Sequence, residues 1–148
     1  MKSFYIYIIV MAVVMGGYSI ILLKMTNKRK KGVQEWLMQN PKAAKVYIGS
    51  TSSNLLSYIL TPSSISLIAI DDEEPKTFIM EGTKQVFYLT PGKHTITSAF
   101  QKSRPGILAK RVVTEYDPTT QEVEVEAEKT YIYSFDKKTE QYTFTEKN

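Results

Sequence analysis

Residues 4–23 carry no charged side chain, a dense run of lysine and arginine follows, and from Lys45 onward apolar and polar positions alternate. The first stretch holds five isoleucines, three valines and two leucines. In hydrocarbon, backbone amides find no partners but one another, so such a stretch settles as a helix. Its twenty residues, at 1.5 Å each, cover about 30 Å, the thickness of a bilayer's apolar core. Residues 1–24 are therefore expected to form a transmembrane anchor. A cleaved signal peptide is the competing reading. It needs a basic start, a shorter apolar core and a small-residue cleavage site. Here only Lys2 precedes the core, and Lys24-Met25-Thr26-Asn27 follows it.

Beyond the apolar stretch, Val33-Gln34-Glu35-Trp36-Leu37-Met38 predicts a short helix that ends before Asn40-Pro41, because the residue preceding proline disfavours helix. Residues 25–44 thus read as a basic linker with a short helix of its own. Trp36 is left with two placements, the membrane surface or the following domain.

Residues 45–148 show a period of two. Val46 and Ile48 flank Tyr47, and Ile65-Ser66-Leu67-Ile68-Ala69-Ile70 leads into the turn Asp71-Asp72-Glu73-Glu74-Pro75. Thr77-Phe78-Ile79-Met80 precedes Gly82, and Val86-Phe87-Tyr88-Leu89 precedes Thr90-Pro91-Gly92. Extended segments are also expected over residues 95–100, 111–114, 131–135 and 142–144. The clearest case is Glu122-Val123-Glu124-Val125-Glu126-Ala127-Glu128, with glutamates on one face and apolar residues on the other. Short β-branched and aromatic runs separated by turn residues predict an all-β fold: a small antiparallel β-sandwich, or barrel-like, domain. Residues 49–64 read as either a strand or a helical turn.

The net charge of +4 changes meaning once the chain is divided, since residues 1–44 carry +6 and residues 45–148 carry −2. The basicity belongs to Lys24, Lys28, Arg29, Lys30 and Lys31 beside the apolar stretch. The β-rich part has no basic excess to hold phosphates, so no nucleic acid is expected as a partner. The flank sets orientation by the positive-inside bias, which favours a cytoplasmic β domain, and it can lie on anionic lipid. The lipid bilayer is the first expected partner, with another membrane or envelope protein as the second.

Leu89, Pro91, Gly92 and His94, within Leu89-Thr90-Pro91-Gly92-Lys93-His94-Thr95-Ile96, form a turn motif. Proline presets φ and glycine supplies a positive φ, so Leu89 and Ile96 can face one core. Together with Ile68-Ala69-Ile70-Asp71-Asp72 and Glu128-Lys129-Thr130-Tyr131-Ile132-Tyr133, the motif resembles PEGA-type small β-sandwich domains of bacterial membrane and envelope proteins. Asp72 stands where that pattern has glycine. The resemblance spans roughly residues 45–145. It implies a non-catalytic module and transfers no active-site residue.

Candidate chemistry is sparse. His94 is the chain's one histidine, and its place just past a turn suggests a strand-start residue more than a catalyst or metal ligand. A pocket gathering it with carboxylates from distant strands would revive the reading as a small enzyme. Asp71-Asp72-Glu73-Glu74 lacks the spacing of a calcium loop and reads as a solvated turn. The glutamates at 122–128 read as a solvent face, with a docking surface for a basic partner as the alternative. Lys102-Ser103-Arg104-Pro105-Gly106 reads as an exposed basic loop. Disulfides and zinc–thiolate sites are impossible without cysteine, and no phosphate-cradling loop or nucleophile elbow occurs. No cofactor, metal or enzymatic activity is expected. The whole predicts a membrane-anchored β-sandwich module for binding or assembly. An auxiliary subunit of a larger membrane complex is the alternative, and a small enzyme comes third.

Overall fold

The computed structural model describes residues 2–49, 62–106 and 111–147, with side chains from Tyr5 onward. One helix, α1 (Lys2–Gln39), is followed by nine strands. Four precede the Pro-Gly turn: β1 (Ala44–Ile48), β2 (Ser63–Ile70), β3 (Ile79–Glu81) and β4 (Lys84–Leu89). Five follow: β5 (Gly92–Pro105), β6 (Arg111–Glu115), β7 (Thr119–Val125), β8 (Thr130–Asp136) and β9 (Gln141–Glu146).

The helix is long and apolar enough to cross a membrane, and the side chains of residues 5–23 are all exposed. It corrects one expectation. No linker separates the apolar stretch from a second short helix, because α1 runs unbroken through Lys24, Lys28, Arg29, Lys30 and Lys31 to Gln39. Lysine and arginine are good helix formers, and Gly32 alone costs only about 1 kcal/mol in a helix interior. Termination falls where Pro41 demands it. Asn40 caps the end, its backbone N–H donating to the Trp36 and Leu37 carbonyls and its side-chain amide to Trp36 at 2.9 Å.

The strands form two sheets. One runs β3-β4-β1-β8-β9, and the other runs β2-β5-β6, with β7 also pairing β5. All pairings are antiparallel except β1 with β8, and the arrangement fits a β-sandwich-like domain. Alternation places Val46, Phe87, Leu89, Tyr131, Tyr133 and Phe135 of the first sheet against Ile65, Ile96, Phe100, Val123 and Val125 of the second. Phe100 and Phe135 stack across this core with ring centroids 4.1 Å apart.

Val86 is equally inaccessible, yet it lies on the opposite face of β4 from Phe87. α1 meets the domain at β3, and its Trp36 borders the same hollow as Tyr88, which alternates onto the face of Val86. Val33 of α1 is only 2% exposed and Trp36 and Leu37 are half-buried, so the helix is seated on the domain near its C-terminal end, its other side chains there being exposed. Trp36 takes the second of its two expected placements, lining a hollow with Thr77, Tyr88 and Thr90.

Several strand limits also differ from expectation: β7 covers Thr119–Val125, so Glu126 lies past its end and Ala127-Glu128 form the turn before β8, Glu128 with φ of 61°. The basic segment Lys102-Ser103-Arg104-Pro105 is the end of β5, paired with β6, and not a loop. Strand β5 begins at Gly92, three residues earlier than the apolar pattern suggested, because its first half pairs with β7 from Val125 back to Thr119. Of the ambiguous residues 49–64, residues 50–61 lie outside those described, and 63–64 open β2.

Candidate functional site

The sequence-derived turn motif sits at the end of the domain where α1 terminates. Leu89 is buried and Gly92 takes φ of 132°, so the glycine is required there and Leu89 and Ile96 share the core as expected. His94, 12% exposed at its side chain, points at the neighbouring turn. Its Nδ1 lies 2.6 Å from Asp71 Oδ2, and its Nε2 lies 2.7 Å from the Thr90 carbonyl oxygen. The Thr90 hydroxyl is 3.3 Å from the same Nε2.

Asp71 does more than face water. Together with Asp72 it forms a two-residue turn closed by reciprocal backbone hydrogen bonds between Ile70 and Glu73. Both aspartates have positive φ, 51° and 61°. A turn of this hand matches strand twist and tolerates aspartate where glycine is usual. The Asp71 carboxylate also accepts the Thr95 amide at 2.8 Å, while the Asp71 amide donates to the Thr95 carbonyl at 2.9 Å. Partial burial pushes this carboxyl up. The hydrogen bond from His94 and that from the Thr95 amide outweigh burial, and its pKa lies below the ordinary value.

An open cleft of about 380 Å³ borders this pair and is lined by Asp71, Lys93, His94, Thr95, Glu122 and Glu124. The histidine is thus gathered with carboxylates from two other parts of the chain. Register explains the grouping, since Lys93 opposes Glu124 and Thr95 opposes Glu122 across β5 and β7. Glu122, Glu124 and Glu126 are exposed and alternate with buried Val123 and Val125, as the sequence pattern required. Aspartate, imidazole and a threonine hydroxyl are the residue types of an acid–base relay. Here, however, Nε2 meets a carbonyl oxygen more closely than it meets the hydroxyl. Only an N–H can be satisfied by that acceptor, so the nitrogen is engaged in holding the turn. Among the described residues, no group of three or more acidic or histidine side chains is placed to hold a metal ion.

A second cluster, not anticipated from sequence, lies on the outer face beside α1. Lys45 donates to Glu81 at 2.6 Å, and the Tyr88 hydroxyl donates to the other carboxylate oxygen at 2.9 Å. Burial pulls the Lys45 ammonium down, but hydrogen bonding to Glu81 and Tyr47 prevails and leaves it above its ordinary value. The Glu81 carboxyl is lowered, first by the Lys45 hydrogen bond, against burial, and in part by the charge of Lys30. Lys45, Lys84 and Lys147 surround the Tyr47 ring at 5.0, 5.6 and 4.8 Å from its centroid. The signal that could have found this group was the alternation of Lys45, Tyr47 and Tyr88 on outward positions of adjacent strands.

The flank residues Lys24, Lys28, Arg29, Lys30 and Lys31 lie along α1, and among the described residues none forms an ion pair with a carboxylate. An apolar helix joined to a β-sandwich-like domain is the class of protein these features define. No protein-family model matches the chain, and neither the curated proteins nor the solved structures yielded a similar one.

Proposed function

We propose that the protein is a membrane-anchored, non-enzymatic module that binds or assembles with a neighbour at the bacterial membrane. The observation that carries this reading is the division of α1. Residues 6–21 are solvent-exposed on every side of the helix, whereas Val33 is sealed against the domain. An apolar surface of that size calls for covering, and lipid supplies it. Anchoring confines the domain to a thin layer and raises its effective concentration for partners in the same bilayer. The unpaired cations beside the span favour a cytoplasmic domain.

Carbonate washing of membranes tests the anchor, and release of the full chain into the supernatant refutes it. Orientation is read by placing a cysteine at Thr139, in the exposed turn before β9. Labelling of intact cells by an impermeant thiol reagent refutes the cytoplasmic side. If the helix instead makes specific contacts as an auxiliary subunit, a stoichiometric partner copurifies in mild detergent and is lost when residues 5–23 are replaced by polyleucine.

A catalytic reading has one observation in its favour, the cleft that joins His94 to Asp71, Glu122 and Glu124. It requires Nε2 to leave the Thr90 carbonyl. Substrate turnover by the purified protein that disappears in His94→Ala would establish it and overturn the binding-module reading.

A further inference from the structure

The domain folds back along its own helix. Strand β1 starts just past the end of α1 and runs back beside it, so that Ile48 shares a row with Gln85 and Met80 across the sheet. Met80 in turn borders α1 at Leu22, Met25, Arg29 and Lys30. The Met80 end of the sandwich therefore lies level with the junction between the apolar stretch and the basic flank.

At that junction, α1 and the β3 segment enclose a groove of about 280 Å³. Leu22, Met25, Phe78 and Met80 supply apolar walls, and Arg29 and Lys30 supply two positive charges. Neither cation is neutralised by an ion pair among the described residues, whereas Lys45, Lys76 and Lys129 each have a carboxylate. Glu81, whose titration Lys30 influences, is already held by Lys45 and Tyr88. Met80 remains 43% exposed, so the groove is open to whatever surrounds the helix at this height.

Two unneutralised cations above an apolar wall, at the end of a span, match the chemistry of an anionic phospholipid. Arginine's planar fork suits a phosphate, lysine adds a point charge, and methionine conforms to an acyl chain. We propose that this groove seats an anionic phospholipid, its phosphate on Arg29 and Lys30 and the start of its acyl chain along Leu22, Met25 and Met80. The bound lipid would fix the height of the β domain over the bilayer. The proposal rests on the anchoring reading above.

The test uses the full-length chain in nanodiscs of phosphatidylcholine with a minor fraction of phosphatidylglycerol. Lipids retained after mild detergent extraction are counted by native mass spectrometry. Phosphatidylglycerol should be retained in preference to phosphatidylcholine. Arg29→Gln with Lys30→Gln should weaken its retention about twenty-five-fold, at about fivefold per cation. Lys28→Gln with Lys31→Gln removes the same charge from exposed positions that do not line the groove, and should change retention little. Met80→Glu, which adds a charge of the same sign as the lipid phosphate and competes for Arg29 and Lys30, should also expel the lipid. Equal losses in the two double variants would reduce the effect to general attraction by the flank and overturn the proposal. Equal retention of the two lipids, or displacement of the lipid by inorganic phosphate alone, would overturn it as well. A chain that fails to enter nanodiscs at all refutes the anchoring reading, a result distinct from entry without lipid selectivity.

Discussion

Ser98 and Tyr133 share a hydrogen bond of 2.6 Å between the two sheets, and both residues are completely shielded from solvent. The Tyr142 hydroxyl adds a 3.3 Å bond to the Ser98 carbonyl, and its ring stacks on Tyr133. Burial pushes the Tyr133 phenol above its usual pKa, with the Ser98 hydrogen bond opposing. Removing either hydroxyl strands the other without water. Tyr133→Phe and Ser98→Ala should each lower stability by about 1–3 kcal/mol. The double variant should cost less than their sum, because no orphan remains. Chemical denaturation of the detergent-solubilised chain measures all three, and strict additivity would contradict the pairing.

The Asp71 clamp makes a pH prediction of definite sign. Its folded-state pKa lies below the ordinary value. Its contribution is therefore complete above the unfolded-state pKa of about 4 and is lost as pH falls from there through the lower folded-state value. Asp71→Asn keeps a residue tolerant of positive φ while removing the charge. Melting temperature plotted against pH should fall less steeply on the acid side for this variant than for the parent chain. An unchanged acid limb would count against the clamp.

Gly49 follows β1, its amide bonded to the Tyr133 carbonyl at 2.7 Å. A β-carbon there would come within 2.9 Å of Ser134 Cβ and 3.1 Å of Ile132 Cγ2. Neither neighbour is the free end of a long side chain. Gly49→Val should destabilise the domain by about 1–3 kcal/mol through overpacking, with Gly49→Ala milder. Thermal unfolding distinguishes this from a tolerant position, at which both variants would melt like the parent.

Val33 is the seal between helix and sandwich. Val33→Asp places a carboxylate in a site only 2% exposed, and burying an unpaired charge is costly. The end of α1 around Val33 should then release from the domain. Amide hydrogen exchange over residues 30–39 should rise markedly, while exchange in β8 stays slow. Unchanged protection in the helix would show that Val33 contributes nothing to docking.

Much of this arrangement was legible residue by residue. Most of the strands fall on runs that alternate visibly, and the glutamate face of β7 up to Val125 follows from period two alone. The end of α1 before Asn40 follows from Pro41. What could not be read was continuity and pairing. Arg29 and Lys30 looked like linker because their charge matched a membrane flank, yet charge does not interrupt a helix. Lys102 and Arg104 looked like loop because a polar run beside proline and glycine carries no apolar alternation. Their strand state comes from hydrogen bonds to β6, which polar residues make as readily as apolar ones.

The candidate site divides the same way. His94 and its Pro-Gly turn stood out in sequence. Asp71, 23 residues earlier, looked like one more acid in a solvated turn. Its partnership exists only because β2 lies beside β5.

Local chemistry along the chain was enough to determine the apolar rod, the basic collar, the strand-forming runs and the positions of the turns, since each depends on side-chain periodicity and on backbone limits at glycine and proline. Tertiary structure alone decided that the domain folds back against its helix, that His94 meets Asp71, and that Arg29 and Lys30 share a groove with Met80. Those contacts join residues far apart in sequence, and their geometry is set by sheet register and by which outer face the helix covers, neither of which a linear pattern encodes.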